Sequence, residues 1–272
     1  MTHPTLAVPF DATAILAQLA EVDAQRRQRG ADLGLSARVQ AVKQYQQRRF
    51  AHTYAALLGS ARYRNAARFF LDELYGPQDF SSRDAQLARV IPALVRLFPQ
   101  RIVDVVGTVV SLHALSERLD SAMGRHLMSK CGSATLLIPP RGADDVVVGL
   151  GAFSGSDLDA QAYAAAWQAT GQPRERERQV ALTLQVGTAL DDLVRKPLLR
   201  RSLHLMRGPA RAAGLADLQA FLERGVEAFS AMQGAAEFLT LVAQRERQLA
   251  AALFQAVDSD PMRIALTLLP RE

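Results

Sequence analysis

The fold is decided by the stretch Ala67-Arg68-Phe69-Phe70-Leu71-Asp72-Glu73-Leu74-Tyr75-Gly76-Pro77-Gln78-Asp79-Phe80. Aromatic and aliphatic side chains cover two adjoining sides of its first half, which is more apolar surface than one shallow contact needs. Gly76 can adopt the left-handed conformation after a last helical turn, and Pro77 cannot continue a helix. The stretch therefore predicts a centrally buried helix, a sharp stop and the start of a new helix.

The same stretch resembles the signature of a family of uncharacterised bacterial proteins named for a Phe-Phe-Leu-Glu-Glu-Leu-Tyr motif. Residues 69–75 match that motif, with Asp72 where the name has Glu. The likeness leaves out the chain ends and residues 132–156, and it continues through Gly76, Pro77, Asp79, Phe80, Arg83, Asp84, Leu190-Asp191, Pro209-Ala210 and residues 221–225. The resemblance implies a helical fold and no established activity, so it assigns no catalytic residue.

Composition narrows the class of protein. The chain has 272 residues, of which 49% are apolar, so it can bury a sizeable core. No uninterrupted apolar run reaches the roughly 18 residues of a membrane span, and Met1–Phe10 does not have the form of a secretory signal. The single cysteine, Cys131, excludes an intramolecular disulfide and a cysteine-based zinc site. We expect a cytoplasmic protein without a transmembrane segment.

The net charge of +5 raises the question of nucleic-acid binding. The basic residues are almost all arginine, and they are scattered among acidic ones, as in Arg174-Glu175-Arg176-Glu177-Arg178. A nucleic-acid footprint would cluster on one face of a recognisable module. The charge pattern therefore disfavours a nucleic-acid partner.

Apolar residues recur at helical spacing through most of the chain, with turn and capping residues between the segments. We predict an all-α, multi-helix bundle that forms a single helical domain over residues 1–272. The predicted helices are 11–29, 36–58, one from Ser60 through the motif, 81–97, 100–129, 157–170, 173–196, 197–206, 215–232 and 235–257. An irregular Gly/Pro-rich insertion is expected at about 131–155, because Pro139-Pro140 and Val146–Val148 favour a loop or a short hairpin.

Individual helix ends are also predicted. Ser36 is expected to cap the second helix, and Ser81 with Asp84 forms a variant capping box. Gly208-Pro209 should end the eighth helix. The second helix has a strongly polar middle, which we interpret as a solvated face: Lys43, Gln44, Gln46, Gln47, Arg48 and Arg49.

The fifth predicted helix carries a stripe of ionisable residues. His113, Glu117 and Asp120 are spaced by four and three residues, so they share the face of the apolar line before them. An imidazole and two carboxylates in a bundle can bind iron, manganese or zinc, with Glu223 and Glu227 as further ligands from another helix. The alternative is a set of salt bridges or hydrogen bonds to arginines such as Arg83 or Arg224.

The polar residues of the signature form a second candidate, namely Arg68, Asp72, Tyr75, Arg83 and Asp84. Buried Arg–carboxylate pairs can fix two helices relative to each other through bidentate hydrogen bonds. The alternative is an anion-binding pocket that uses Arg68, Arg83 and the N-terminus of the helix beginning at Ser81.

These features favour a protein of unknown function whose bundle binds an apolar or amphipathic small molecule or a protein partner without catalysing a reaction. Self-association into a homo-oligomer through an exposed apolar face is a related hypothesis. The rival hypothesis is a metal-dependent enzyme centred on His113, Glu117 and Asp120.

Overall fold

The computed structural model of the chain describes residues 9–74, 76–131, 158–196, 198–255 and 269–270. Every regular element within these ranges is helical, and they contain no strand. The all-α bundle predicted from the sequence is therefore confirmed. The predicted insertion at about 131–155 lies outside the described residues, apart from Cys131.

Eleven α-helices and one π-helical turn make up the described part of the chain. In chain order they are α1 (Ala12–Gly30), α2 (Leu33–Thr53), α3 (Ala55–Gly59), α4 (Arg64–Phe69), the π-turn (Phe70–Leu74), α5 (Ser81–Leu97), α6 (Gln100–Cys131), α7 (Ala160–Thr170), α8 (Pro173–Val194), α9 (Leu199–Ala212), α10 (Ala216–Met232) and α11 (Ala236–Gln255).

Side-chain caps explain where three of the helices begin. Asp11 and Asp159 accept hydrogen bonds from backbone N–H groups three residues ahead, each at 2.7 Å, at the starts of α1 and α7. Asp32 does the same for α2, so the helix begins before Ser36 and that predicted cap is wrong. At the start of α5 the N-cap residue is Phe80, and the N–H of Ser81 donates to Asp79 Oδ1 at 2.9 Å. Asp84 is turned into the interior, so the predicted box of Ser81 and Asp84 is wrong.

The deciding stretch folds as α4 followed by the π-turn and then a non-helical link. Gly76 lies so close to its neighbours that a Cβ there would be 2.3 Å from the backbone oxygen of Asp72, which only glycine tolerates. The predicted stop is confirmed. Tyr75 lies outside the described residues.

Burial of the motif is confirmed by its aromatic contacts. The Phe70 ring centroid lies 6.1 Å from that of Phe229 on α10 and 5.3 Å from that of Phe238 on α11. Phe69 packs against Phe221 and Phe229. The motif thus ties α4 and the π-turn to the two last helices, within one of three buried apolar clusters.

The long helix α6 is the central element, because it contacts α1, α2, α7 and α8. It carries buried apolar residues from Val103 to Met123, and the predicted stripe of ionisable residues lies between them. Two of the apolar clusters contact α6 on either side of this stripe.

The helix α9 differs from its prediction, because it continues through Gly208-Pro209 to Ala212. Pro209 lacks the N–H that would donate to the carbonyl oxygen of Leu205. That turn is at the surface, where water can donate to this oxygen instead.

No helix in the described ranges is both long and apolar enough to cross a membrane.

Candidate functional site

Ionisable side chains from four helices meet at one place inside the bundle. We call Arg26, Arg29, Lys43, Asp84, His113 and Glu117 the ionic centre. Glu117 of α6 is only 2% exposed, and its two oxygens lie 2.6 Å from Arg29 Nη1 and 2.5 Å from Lys43 Nζ. These charge-assisted contacts connect α6 to α1 and α2.

Asp84 of α5 completes the ionic centre from the other side. Its Oδ2 lies 2.8 Å from Arg26 Nη1 and 2.8 Å from His113 Nε2. Arg26 Nη2 is 3.1 Å from the same ring nitrogen, so it also contacts the imidazole. The centre therefore holds α1, α2, α5 and α6 together through paired opposite charges.

Asp120 lies one turn beyond Glu117 and is also buried. Its Oδ1 accepts a hydrogen bond from Gln46 Nε2 at 2.9 Å. The structure gives it no ion pair within the described residues, in contrast to Glu117.

The pKa values of the two neighbouring buried carboxyls are shifted in opposite directions. Burial alone would raise the pKa of Glu117, but the charges of Lys43 and Arg29 and the Lys43 hydrogen bond outweigh it and lower the pKa to about 2. For Asp120, burial dominates over the more distant charges of Lys43 and Arg176, and its pKa is raised. Glu117 is thus held as an anion, whereas Asp120 favours its neutral form more than an exposed aspartate does.

The proposed metal ligands are distributed over three places. His113 and Glu117 belong to the ionic centre, and Asp120 lies beside it. Glu223 instead contacts Arg207 at 2.6 Å, and Glu227 lines a surface groove. Within the described ranges, no group of three or more His, Cys, Asp or Glu side chains is placed to hold a metal ion.

The signature residues are also divided. Asp84 belongs to the ionic centre and Arg83 lies beside it, whereas Arg68 and Asp72 line an open groove between α4, the π-turn and α10. Arg224 closes one side of this groove and pairs with Glu73 at 2.7 Å. Among the described residues, the two arginines of the expected anion pocket line different concavities, Arg83 an interior cavity and Arg68 the open groove.

A cavity of about 50 Å³ lies next to the ionic centre, between α1, α5, α6, α10 and the π-turn. We call it the amphipathic cavity, because one end is polar and the remaining wall is apolar. The polar end consists of Glu73, Arg83, Asp84, His113 and Ser116, and the apolar wall of Leu19, Leu74, Leu87, Val109, Val110, Leu112, Leu218 and Phe221. Its volume exceeds the roughly 10–15 Å³ that one water requires.

Arg83 is the polar group of this cavity with the least complete pairing. Its guanidinium carbon lies 4.1 Å from the ring centroid of Phe80 and 4.6 Å from that of Phe221, a cation–π arrangement on two rings. Its nearest carboxylate oxygens, from Asp84 and Glu73, are 3.6 and 3.9 Å away, and its hydrogen bond goes to the backbone oxygen of Glu73 at 3.3 Å. Burial lowers the pKa of Arg83.

Two further concavities are lined in part by residues of α6. A polar cavity of about 20 Å³ lies under Gly76 and Phe80, and it shares Leu74, His113 and Ser116 with the amphipathic cavity. An open apolar groove of about 400 Å³ runs between α6 and α8, past Val105 and Leu193. It contains none of the sequence-predicted site residues.

Sequence reasoning missed several members of the interior polar network. The interpretation of residues 43–49 as a solvated face is wrong for Lys43, Gln46 and Arg49, which contact Glu117, Asp120 and Glu246 inside the bundle. Lys43, Gln46 and Arg49 lie on the same face of the helix as the apolar residues Val39 and Val42. This shared face is the feature of the sequence that indicates an inward position for the three polar residues.

A comparison with family models matches residues 25–260 to a family described as "Domain of unknown function (DUF8198)". No curated protein and no solved structure matches the chain significantly.

Proposed function

We propose that this chain, which belongs to the family described as a domain of unknown function (DUF8198), is a non-enzymatic helical bundle that binds an amphipathic small-molecule anion. The match covers most of the chain, and the family description assigns no activity. The proposal therefore rests on the geometry of the amphipathic cavity.

The observation that carries the proposal is the division of that cavity into two ends. An apolar wall from five structural elements meets a polar end at which Arg83, Asp84 and His113 converge. Ligand sites are mostly apolar with a few polar groups that fix orientation, and this is the arrangement seen here. An amphipathic molecule would place its apolar body between α5, α6 and α10 and its polar group at Arg83.

Arg83 favours a negatively charged polar group. A buried guanidinium loses hydration, and its ion pairs with Asp84 at 3.6 Å and Glu73 at 3.9 Å are longer than a charge-assisted hydrogen bond. A ligand carboxylate or phosphate in contact with Arg83 would supply the missing charge-assisted hydrogen bonds. Binding of an anion would therefore offset part of the desolvation cost of the Arg83 guanidinium.

The size of the cavity requires a local movement when the ligand enters. Small-molecule sites usually enclose roughly 300–1,000 Å³, well above the volume found here. Leu74 at the end of the π-turn forms part of the wall, and π-helical segments are frequent at functional sites. We infer that displacement of the π-turn widens the cavity, and the ligand stabilises that wider state.

The ionic centre supports binding more than acid–base catalysis. Both oxygens of Glu117 are engaged by cations, and Asp84 is engaged by Arg26 and His113. A carboxylate held in such pairs has its proton affinity lowered, as the pKa of Glu117 shows. These groups orient helices and the polar end of the cavity, and they are poorly suited to remove a proton from a substrate.

Isothermal titration of the full chain with decanoate tests this proposal. The wild type should bind, and Val109→Phe should abolish binding, because Val109 lines the amphipathic cavity. The matched control is Val105→Phe on the same helix, which fills the open groove between α6 and α8 instead and should still bind. Arg83→Gln should weaken binding about tenfold or more through loss of a charge-assisted contact.

Two results would overturn the proposal. One is the absence of decanoate binding by the wild type. The other is loss of binding in Val105→Phe together with retention in Val109→Phe, which would place the ligand in the other groove. Circular dichroism of each variant, compared with the wild type, separates loss of the site from loss of the fold.

The metal-dependent enzyme stays a prediction with its own test. It requires iron, manganese or zinc bound by His113, Glu117 and Asp120, yet Arg29 and Lys43 occupy the oxygens of Glu117. Elemental analysis of the purified chain, grown with all three metals available, decides the question. Stoichiometric metal that is lost in His113→Ala would support the enzyme hypothesis.

The finer points of the sequence interpretation also stay predictions. These are the identity of the matched family with the motif-named bacterial family, residence in the cytoplasm, a protein partner and self-association. Sedimentation equilibrium at several concentrations tests self-association directly.

A further inference from the structure

The surface of α9 differs in charge from the rest of the chain. Residues 195–215 contain six arginines and lysines, one histidine and no aspartate or glutamate. Elsewhere, as at residues 174–178, basic and acidic residues alternate. This segment is therefore a local concentration of positive charge in a chain with mixed surface charges.

Two of these cations form ion pairs with carboxylates of the neighbouring helices. Arg195 pairs with Asp191, and Arg207 pairs with Glu223. Within the described part of the chain, no carboxylate forms an ion pair with Arg200, Arg201 or Arg211, and all three are exposed. Their charge is available to an external anionic partner.

The segment formed by α9 and its N-cap residue Leu198 exposes large apolar side chains. Leu198 is 68% exposed, Leu205 is 78% exposed and Met206 is 51% exposed. Together with Leu222 on the adjacent helix α10, they make up four of the seven large apolar residues found exposed among the described residues. Scattered exposed leucines are ordinary, but a cluster on one element marks an interaction surface.

The positions along α9 separate the two kinds of side chain. Residues 200, 204, 207 and 211 are basic and follow a spacing of four, three and four, so they form one stripe. Leu198 and Leu205 are two turns apart on a different face, with Arg201 between that face and the basic stripe. The inner face, represented by buried Ala210, packs against the bundle.

We propose that α9 docks the protein on the surface of a membrane rich in anionic phospholipid. The exposed leucines would enter the boundary between headgroups and acyl chains, while Arg200, Arg201 and Arg211 contact lipid phosphates. A nucleic acid would use the arginines but leave the leucines in water. A lipid surface is the partner that takes up both.

The inference is independent of the amphipathic cavity, because it rests on different residues and a different face. A helix that lies on a membrane does not need to cross it, and α9 has 14 residues, too few for a span. Attachment of this kind is reversible and decreases as the salt concentration rises.

Co-sedimentation of the full chain with phospholipid vesicles tests the inference. The wild type should sediment with vesicles of phosphatidylcholine and phosphatidylserine and remain in the supernatant with vesicles of phosphatidylcholine alone. The double variant Arg200→Gln/Arg201→Gln should weaken binding by about 30-fold, from the typical contribution of each basic residue near an anionic surface. Leu198→Ser/Leu205→Ser should also release the protein.

Matched variants control for charge and apolarity in general. Arg174→Gln/Arg178→Gln removes two exposed arginines from α8, and Leu33→Ser/Leu97→Ser removes two exposed leucines outside α9. Both should bind like the wild type.

Three outcomes would overturn the inference. The first is a wild type that stays in the supernatant with both kinds of vesicle, and the second is a loss of binding in the control variants as large as that in the α9 variants. Retention on DNA or on polyglutamate without binding to anionic vesicles would assign the surface to another class of partner.

Discussion

Asp84 Oδ2 and His113 Nε2 lie 2.8 Å apart and join α5 to the central helix α6 at the polar end of the amphipathic cavity. Arg26 Nη2 approaches the same ring nitrogen at 3.1 Å. Because an arginine only donates hydrogen bonds, Nε2 either donates to Asp84 or accepts from Arg26, and it cannot do both at once. The protonation of Nε2 therefore decides whether His113 hydrogen-bonds to Asp84 or to Arg26.

Replacing His113 with alanine should destabilise the fold without a change in helix content. The variant loses a hydrogen bond to a charged partner and opens a small cavity, so the free energy of unfolding should fall by about 2–4 kcal/mol. Urea unfolding measures this change. His52→Ala is the control, because His52 is exposed, and it should change stability by less than about 0.5 kcal/mol.

Glu117→Gln should be one of the most damaging single substitutions in the chain. It leaves Arg29 and Lys43 buried without their shared counter-ion, which typically costs about 3–5 kcal/mol at neutral pH. Urea unfolding at neutral pH measures the loss. Asp23→Asn, at an exposed ion pair with Arg27, should cost at most about 1 kcal/mol.

The pH dependence of the Glu117 contribution follows from its lowered pKa of about 2. A carboxyl with a lowered folded-state pKa stabilises the fold above its unfolded value of about 4.3 and loses that contribution as the pH falls through about 2. The stability difference between wild type and Glu117→Gln should therefore shrink between these pH values. A difference that stays constant down to pH 2 would contradict the assignment.

Asp120→Asn should show the opposite pH dependence. Burial raises the pKa of Asp120, so the wild type loses stability relative to the variant as the pH rises through the folded-state pKa. Asparagine retains the oxygen that accepts from Gln46. The free energy of unfolding of the variant should be lower than that of the wild type by less than about 1 kcal/mol at neutral pH. A larger decrease would mean that the Asp120 side chain is ionised in the folded protein.

Gly187→Ala should destabilise the bundle, because a Cβ at this position of α8 would lie 2.3 Å from Leu239 Cδ2 on α11. Overpacking of a buried contact costs about 1–3 kcal/mol, more than the roughly 1 kcal/mol that alanine gains over glycine in a helix. Thermal unfolding measures the net loss. Gly30→Ala has no atom within 4 Å of its Cβ and should be neutral or slightly stabilising.

The parts of the fold that depend on local pattern were predictable. Periodic apolar residues located most of the helices, and the Gly76-Pro77 pair located the stop after the motif. The same periodicity placed Glu117 and Asp120 in the interior, where the structure has them. These outcomes need only information from residues a few positions apart.

The partners of Glu117 were not predictable in the same way. Arg29 lies 88 residues away in sequence and Lys43 lies 74 away, so their contacts depend on how α1 and α2 pack on α6. Sequence reasoning considered Arg83 and Arg224 as partners. Arg83 does lie beside Asp84, but Arg224 contacts Glu73 instead. A single sequence does not specify which of many arginines completes such a pair.

Native mass spectrometry of the chain purified from its own host shows whether the bundle carries a ligand. The wild type should carry a small amphipathic anion, Val109→Phe should lose it and Val105→Phe should keep it. A wild type with the mass of the chain alone would mean that the amphipathic cavity is not a binding site for such an anion.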